Sequence, residues 1–172
     1  MKSKEVYSLL VRYLLLIALA IPNLFLFYFI FTPLTLYASF YALNAIYGAT
    51  LLEGNVIFLR SIYIELIPAC IAGAAYYLLL ILNLSTPMKM KKRLKSLLFL
   101  FSSFLILNII RIVLFASLAL QGSQYFDISH NIVWYLGSTL FVVALWFTNI
   151  FLFKINSIPI YSDLKNIFKE IK

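Results

Sequence analysis

Long apolar runs separated by short basic segments are the dominant pattern of the chain. A helix needs about 20 mostly apolar residues to cross a bilayer. Three runs reach that length and a fourth is slightly shorter but uncharged; they lie at residues 9–31, 96–118, 131–153 and 67–84. The pattern predicts an all-α fold, a polytopic integral membrane bundle of about four transmembrane helices, with residues 1–172 forming a single domain.

Lysine and arginine are concentrated at one end of these runs. Twelve of the 14 basic residues precede or open the first run, fill the loop at 85–95, or follow the last run. Basic loops stay on the cytoplasmic side of a membrane. The charge distribution therefore predicts that both termini and the basic loop are cytoplasmic, which requires an even number of spans.

A fifth apolar stretch at 33–49 is rich in tyrosine and in small polar residues. A crossing here would place the N-terminus outside, so we expect a helix lying in the outer interface, with a fifth span as the alternative. Residues 50–67 follow, with a Glu-Gly-Asn turn between β-branched and aromatic residues. This composition is typical of a hairpin, and we expect it to be short and extracellular.

Composition narrows the class of protein. Of the residues, 64% are hydrophobic and 12% charged, against about 45–50% and about 25% in soluble domains. A soluble enzyme and a disordered chain are thereby excluded. The net charge of +8 comes from basic residues that lie between apolar runs. This placement favours a membrane protein over a nucleic-acid-binding protein. One cysteine and one histidine cannot form a disulfide or a metal cluster, and we expect neither a metal nor a cofactor.

Three chemically active side chains are predicted at one depth of the bundle. Cys70 and Arg111 lie almost the same number of residues from the centre of the basic loop. Arg111 and His130 lie almost the same number of residues from the start of the polar loop at 121–127. Antiparallel helices rise equally per residue, so all three are expected just inside the outer membrane face, on three helices. Each residue also has an explanation without catalysis. Cys70 would be a small buried side chain, Arg111 would reach the outer headgroups, and His130 would cap a helix.

Together these groups have the chemistry of a cysteine hydrolase. A cation beside Cys70 favours its thiolate, which is the nucleophilic form. His130 would carry the proton from the thiol to the leaving amine, and Arg111 would stabilise the thiolate or the oxyanion. Asn108, about one turn before Arg111 on the same helix face, would orient the guanidinium or bind a substrate carbonyl, or it would only join two helices. Gly73 leaves room for close approach by a substrate chain or by another helix.

Four sequence blocks, in order, carry a resemblance to a known family. They are PLTLYASFYALNAIYG, LEGNVIFL, IELIPACIAG and LNIIRIVL, and a histidine then opens the last span. This order resembles the exosortase/archaeosortase family over residues 32–153. The block around the cysteine departs from the family in one respect, since Gly73 is displaced from the position that it has in the common Cys-x-Gly pattern.

The resemblance implies a membrane cysteine peptidase or transpeptidase with Cys70, Arg111 and His130 as its catalytic set. Its implied partners are the C-terminal sorting signals of secreted proteins, which it would cleave at the extracellular face of the plasma membrane. For some members the resemblance implies a second step, in which the product is transferred to a membrane lipid and anchored at the cell surface. It implies no cofactor.

Two other classes of protein remain open. A small anion-binding transporter or channel subunit would need Arg111 but not the thiol of Cys70. A non-enzymatic membrane assembly protein would need neither, nor His130. The enzyme hypothesis predicts instead that loss of any one of the three abolishes function, because such groups act as a unit.

Overall fold

The computed structural model describes residues 3–22, 24–122, 137–155 and 159. Within these residues the chain is mostly helical, as predicted, but it also contains a small sheet, so the fold is not purely all-α. The elements in chain order are α1 (Ser3–Ala20), α2 (Phe25–Tyr47), β1 (Thr50–Leu52), β2 (Val56–Leu59), β3 (Ile62–Glu65), α3 (Pro68–Ile71), α4 (Gly73–Leu84), α5 (Met90–Leu120) and α6 (Ser138–Phe153).

Among the described helices, α2 and α5 are long and apolar enough to cross a membrane. The 31 residues of α5 extend about 46 Å at the usual rise of a helix. Shorter apolar helices cover Leu9–Ala20, Pro68–Leu84 and Ser138–Phe153. These lengths and compositions indicate association with a membrane.

The predicted first span at 9–31 is not one helix, and this prediction is wrong. The chain leaves helical geometry between α1 and α2, around Pro22 and Leu24. Pro22 has no N–H to donate, and Leu24 has left-handed backbone angles (φ 60°, ψ 20°). A continuous right-handed helix cannot pass through such a residue.

The separate interfacial helix predicted at 33–49 is also wrong. Pro33 does not begin a helix but lies inside α2, which continues through it to Tyr47. Proline is tolerated within apolar helices where neighbouring groups compensate for the missing hydrogen bond. The helix ends where Gly48 adopts left-handed angles (φ 71°, ψ 50°) and donates its amide to the Asn44 carbonyl at 2.9 Å.

The helices α1 and α2 run end to end along α4, in the direction opposite to it. Arg12 Nη1 donates to the carbonyl of Leu84 at the end of α4 (2.9 Å). One turn further along α1, the Leu16 carbonyl accepts a hydrogen bond from Tyr77 Oη (2.8 Å). At that level α2 begins, since the ring of Phe27 packs edge-on against Tyr77 with 5.9 Å between centroids. α2 therefore continues the path of α1 after the break.

The sheet is an antiparallel meander in the order β1-β2-β3. The predicted Glu-Gly-Asn turn joins β1 to β2, with left-handed angles at Gly54 (φ 76°) and Asn55 (φ 64°), residue types that adopt them at low cost. A second turn at Arg60 and Ser61, which was not predicted, adds β3 to the expected hairpin. The Arg60 guanidinium lies 5.7 Å from the centroid of the Tyr47 ring.

The remaining predicted spans have different outcomes. The span at 67–84 is divided, because Ala72 adopts left-handed angles (φ 58°, ψ 44°) between α3 and α4. The span at 96–118 lies wholly within α5. Of the span at 131–153, α6 covers the part from Ser138 onwards, and residues 131–136 lie outside the described residues.

Polar side chains join α4, α5 and α6 inside the apolar bundle. Buried Asn83 donates from Nδ2 to Ser96 Oγ (2.7 Å), and Ser96 Oγ donates to Asn149 Oδ1 (2.8 Å). Arg93, only 7% exposed, donates to three carbonyls at the end of α4 at 3.0–3.2 Å. The basic loop thus contributes a buried helix cap as well as surface charge.

Candidate active site at the α3–α4 break

Cys70 lies in α3, a single helical turn between the sheet and α4. Pro68 opens the turn, where its fixed φ is favourable and its missing N–H is not needed. The Cys70 amide donates to the Ile67 carbonyl (2.8 Å), and the Ala72 amide closes the turn on the Pro68 carbonyl (3.1 Å). The left-handed angles of Ala72 cost about 1–2 kcal/mol in a residue that carries a Cβ, so contacts from the rest of the fold must stabilise this break.

The break directs the backbone carbonyl of Cys70 towards α5. Asn108 Nδ2 donates to this oxygen at 2.8 Å, and Arg111 Nη2 donates to it at 3.2 Å. Asn108 is 1% exposed, and Arg111 is half-buried. Two side chains about one turn apart on α5 therefore hold the backbone of the predicted nucleophile.

These contacts bear on the choice between a catalytic and a purely structural role for some of the predicted site residues. The structure brings Cys70 and Arg111 together, as the folding of antiparallel helices predicted. Arg111 is bonded to α3 within the bundle, in contrast to an arginine that only reaches outward to headgroups. The contact observed for Asn108 is the one that joins two helices. His130 lies outside the described residues, so its predicted position beside them stays a prediction.

A cavity of about 470 Å³ opens beside Cys70 and Arg111. Its walls are β3 with the residues that lead into α3, the first turn of α3, and the last turns of α5. The lining is mostly apolar, and Glu65, Cys70 and Arg111 supply its reactive and charged groups. Within the described part of the chain, Arg111 forms no ion pair with a carboxylate. Arg111 is therefore a cationic group in the wall of the cavity.

Gly73 is buried directly against α2. A Cβ built on this residue would lie 2.8 Å from Tyr28 Cζ and 2.9 Å from Tyr28 Cε1. The close approach predicted at Gly73 is thus made by a neighbouring helix. The alternative, a substrate chain packed on Gly73, is wrong because the Tyr28 ring occupies that space.

Two parts of the site were not identified from the sequence. β3 forms a wall of the cavity, although only a hairpin outside the bundle was predicted there. Ala72 turns the chain after Cys70, and the run Cys-Ile-Ala-Gly gives no signal for left-handed angles at an alanine. Among the described residues, no group of three or more His, Cys, Asp or Glu side chains could hold a metal ion.

Comparison with known proteins adds no family assignment. No family model matches the chain, and neither a curated protein nor a solved structure matches it. The function is therefore argued from the site and from the sequence blocks that surround it.

Proposed function

We propose that the chain is a membrane-embedded cysteine peptidase or transpeptidase of the exosortase/archaeosortase type. It cleaves C-terminal sorting signals of secreted proteins at the extracellular face of the plasma membrane, and the acyl-enzyme is then either hydrolysed or transferred to an acceptor such as a membrane lipid. One observation carries the proposal: the only cysteine of the chain lines an open cavity together with an arginine that is bonded to its own backbone. The sequence resemblance supplies the class of substrate.

The length of α5 supports a site near the outer membrane face. The stretch from Arg93 to Arg111 rises about 27 Å at 1.5 Å per residue, close to the hydrocarbon thickness of about 30 Å. Arg93 lies among the lysines of the basic loop, which belongs at the cytoplasmic boundary. Arg111 then reaches the opposite boundary, where an arginine costs less than at the centre of the bilayer.

The path of α1 and α2 supports about four crossings with cytoplasmic termini. α1 rises from the inner end of α4, where Arg12 contacts Leu84. α2 takes over at the level of Tyr77 and continues to the sheet. The two helices then form a single crossing that is broken between them, and α3 with α4, α5 and α6 form the others. The sheet and the cavity lie on the outer side in this arrangement.

The proposed reaction starts with attack of the Cys70 thiolate on the scissile carbonyl carbon, which forms a C–S bond and moves an electron pair onto oxygen. A guanidinium has five N–H donors, so Arg111 can bond the Cys70 carbonyl and still donate to this oxyanion. His130, assigned from the sequence, receives the thiol proton and gives it to the leaving amine as the C–N bond breaks. Water, or an acceptor amine or hydroxyl, then resolves the thioester and restores the thiol.

Alkylation of Cys70 tests the proposal without a known substrate. A membrane-impermeant maleimide forms a thioether only at this residue, because the chain has no other cysteine. In right-side-out vesicles we expect labelling from outside, at a rate that falls in the Arg111→Ala and His130→Ala variants. Arg60→Ala is the matched control, since Arg60 is exposed and its guanidinium lies over Tyr47. It should label at the wild-type rate.

Two results would contradict the proposal. The first is labelling only in inside-out vesicles, which would place Cys70 on the cytoplasmic side. The second is a labelling rate that neither Arg111→Ala nor His130→Ala changes, which would leave Cys70 as an ordinary thiol.

A further inference from the structure

One wall of the cavity is formed by β3, a strand at the edge of the sheet. The strand order is β1-β2-β3, so within the described residues β3 pairs with another strand on one side only. Residues 62–67, which comprise β3 and its continuation towards α3, line the same cavity as Cys70 and Arg111. An edge strand and its continuation therefore run along the cavity to the predicted nucleophile.

The register of the sheet determines which peptide groups face this edge. The Leu66 amide donates to the Asn55 carbonyl on the β2 side (3.1 Å). Peptide groups in an antiparallel strand point alternately to the two sides. Even-numbered residues of β3 therefore face β2, whereas Tyr63 and Glu65 direct their N–H and C=O groups outward. These two residues present backbone donors and acceptors to a further strand.

We propose that the outer edge of β3 binds an extended segment of the substrate polypeptide as a fourth strand, which brings the scissile carbonyl to Cys70. This rests on the proposed function and adds the way in which the substrate is recognised. Strand addition obtains affinity from main-chain hydrogen bonds, here with Tyr63 and Glu65, and specificity from pockets for alternate side chains.

The chemistry of the cavity favours a peptide over a lipid chain. An acyl chain would fit the apolar walls but would leave the outward N–H and C=O groups of Tyr63 and Glu65 without partners. An extended peptide satisfies those groups and also places side chains against α5. Because Ile112, Phe115 and Ala116 line that wall, the side chains directed towards it are apolar.

Two alkylating reagents of different shape test this proposal on the full chain in vesicles. Iodoacetamide reports on the thiol alone. The second reagent is acetyl-tetraalanyl chloromethyl ketone, in which a peptide backbone precedes the reacting carbon. The thiol of Cys70 displaces its chloride. Two isomers of this ketone carry N-methyl groups at either the odd or the even peptide nitrogens. Each rate is divided by the rate with iodoacetamide. We then expect one isomer to label Cys70 about tenfold more slowly than the other, the factor expected for the loss of one or two backbone hydrogen bonds.

A pair of proline variants tests the same point from the protein side. Tyr63→Pro removes an outward N–H from β3, a change that strand edges tolerate. By the same alternation of peptide groups, Leu51 faces the opposite edge of the sheet, and Leu51→Pro is the matched control. We expect only Tyr63→Pro to reduce the rate with the unmethylated ketone, while both variants keep the wild-type rate with iodoacetamide.

The outcomes separate this proposal from the catalytic one. Equal rates for the two N-methyl isomers and the unmethylated ketone overturn strand addition, whatever the rate with iodoacetamide. A rate with iodoacetamide that neither Arg111→Ala nor His130→Ala changes, combined with a clear difference between the isomers, overturns the activated nucleophile and supports a peptide-binding edge.

Discussion

Replacing Gly73 by alanine tests the packing of α4 on α2 at the candidate site. The new methyl group would lie 2.8 Å from Tyr28 Cζ, where ordinary contact begins at 3.4 Å, so the two must separate by about 0.6 Å. Overpacking an interior costs about 1–3 kcal/mol, and the better helix propensity of alanine returns less than the ~0.5–1 kcal/mol of a mid-helix position, because Gly73 is the first residue of α4. The far end of a half-buried ring can shift, so we expect a net loss of about 1 kcal/mol in the free energy of unfolding.

A double-mutant cycle in detergent measures this contact directly. In a Tyr28→Ala background the clash is absent, so Gly73→Ala should be neutral or slightly stabilising there, with a coupling energy of about 1–2 kcal/mol. The exposed neighbour Ala74 is the matched control, and Ala74→Ser should change stability by less than about 0.5 kcal/mol. The same destabilisation by Gly73→Ala in both backgrounds would refute the reasoning.

Three further predictions concern the break and the helix contacts, with denaturant unfolding as the measurement. Arg93→Met leaves three carbonyls without their charged donor and should cost about 3 kcal/mol, whereas Lys95→Met, exposed in the same turn, should cost less than about 0.5 kcal/mol; equal costs would contradict a buried cap. Ala72→Gly relieves left-handed strain and should be neutral or stabilising by about 1 kcal/mol, whereas Ala75→Gly inside α4 should cost about 1 kcal/mol; a reversed order would contradict the break. Asn108→Leu removes one of two donors to the Cys70 carbonyl and should cost about 1–2 kcal/mol; unchanged stability would show that the bond contributes nothing.

The proximity of Cys70 and Arg111 could be predicted from the sequence because it depends on little more than counting. Two antiparallel helices that share one connection keep residues at equal distances from that connection at equal height. A change in the position of the connection by one or two residues moves both helices by only a few ångströms. The prediction therefore survived although α5 begins earlier than expected and although the helix carrying Cys70 is divided.

The two breaks could not be predicted in this way, because hydropathy does not depend on backbone angles. Leu24 and Ala72 are apolar residues within long apolar runs, yet both adopt left-handed angles. At Ala72 the cost is offset by contacts from distant parts of the chain, where Asn108 and Arg111 satisfy the Cys70 carbonyl. Such contacts appear only when the helices are packed, so the sequence around Ala72 does not reveal that break, whereas Pro22 is a sequence signal for the first one.

The cap that Arg93 forms on α4 has a consequence for biogenesis. The three carbonyls that it contacts lie only 7, 9 and 10 positions earlier in the chain. The α4–α5 pair can therefore satisfy its exposed helix end while the ribosome is still translating the rest of the protein. The bond from Ser96 to Asn149 spans 53 positions and must wait for α6. In the proposed membrane arrangement, polar groups that would be costly in lipid are thus paired in the order in which the helices are synthesised.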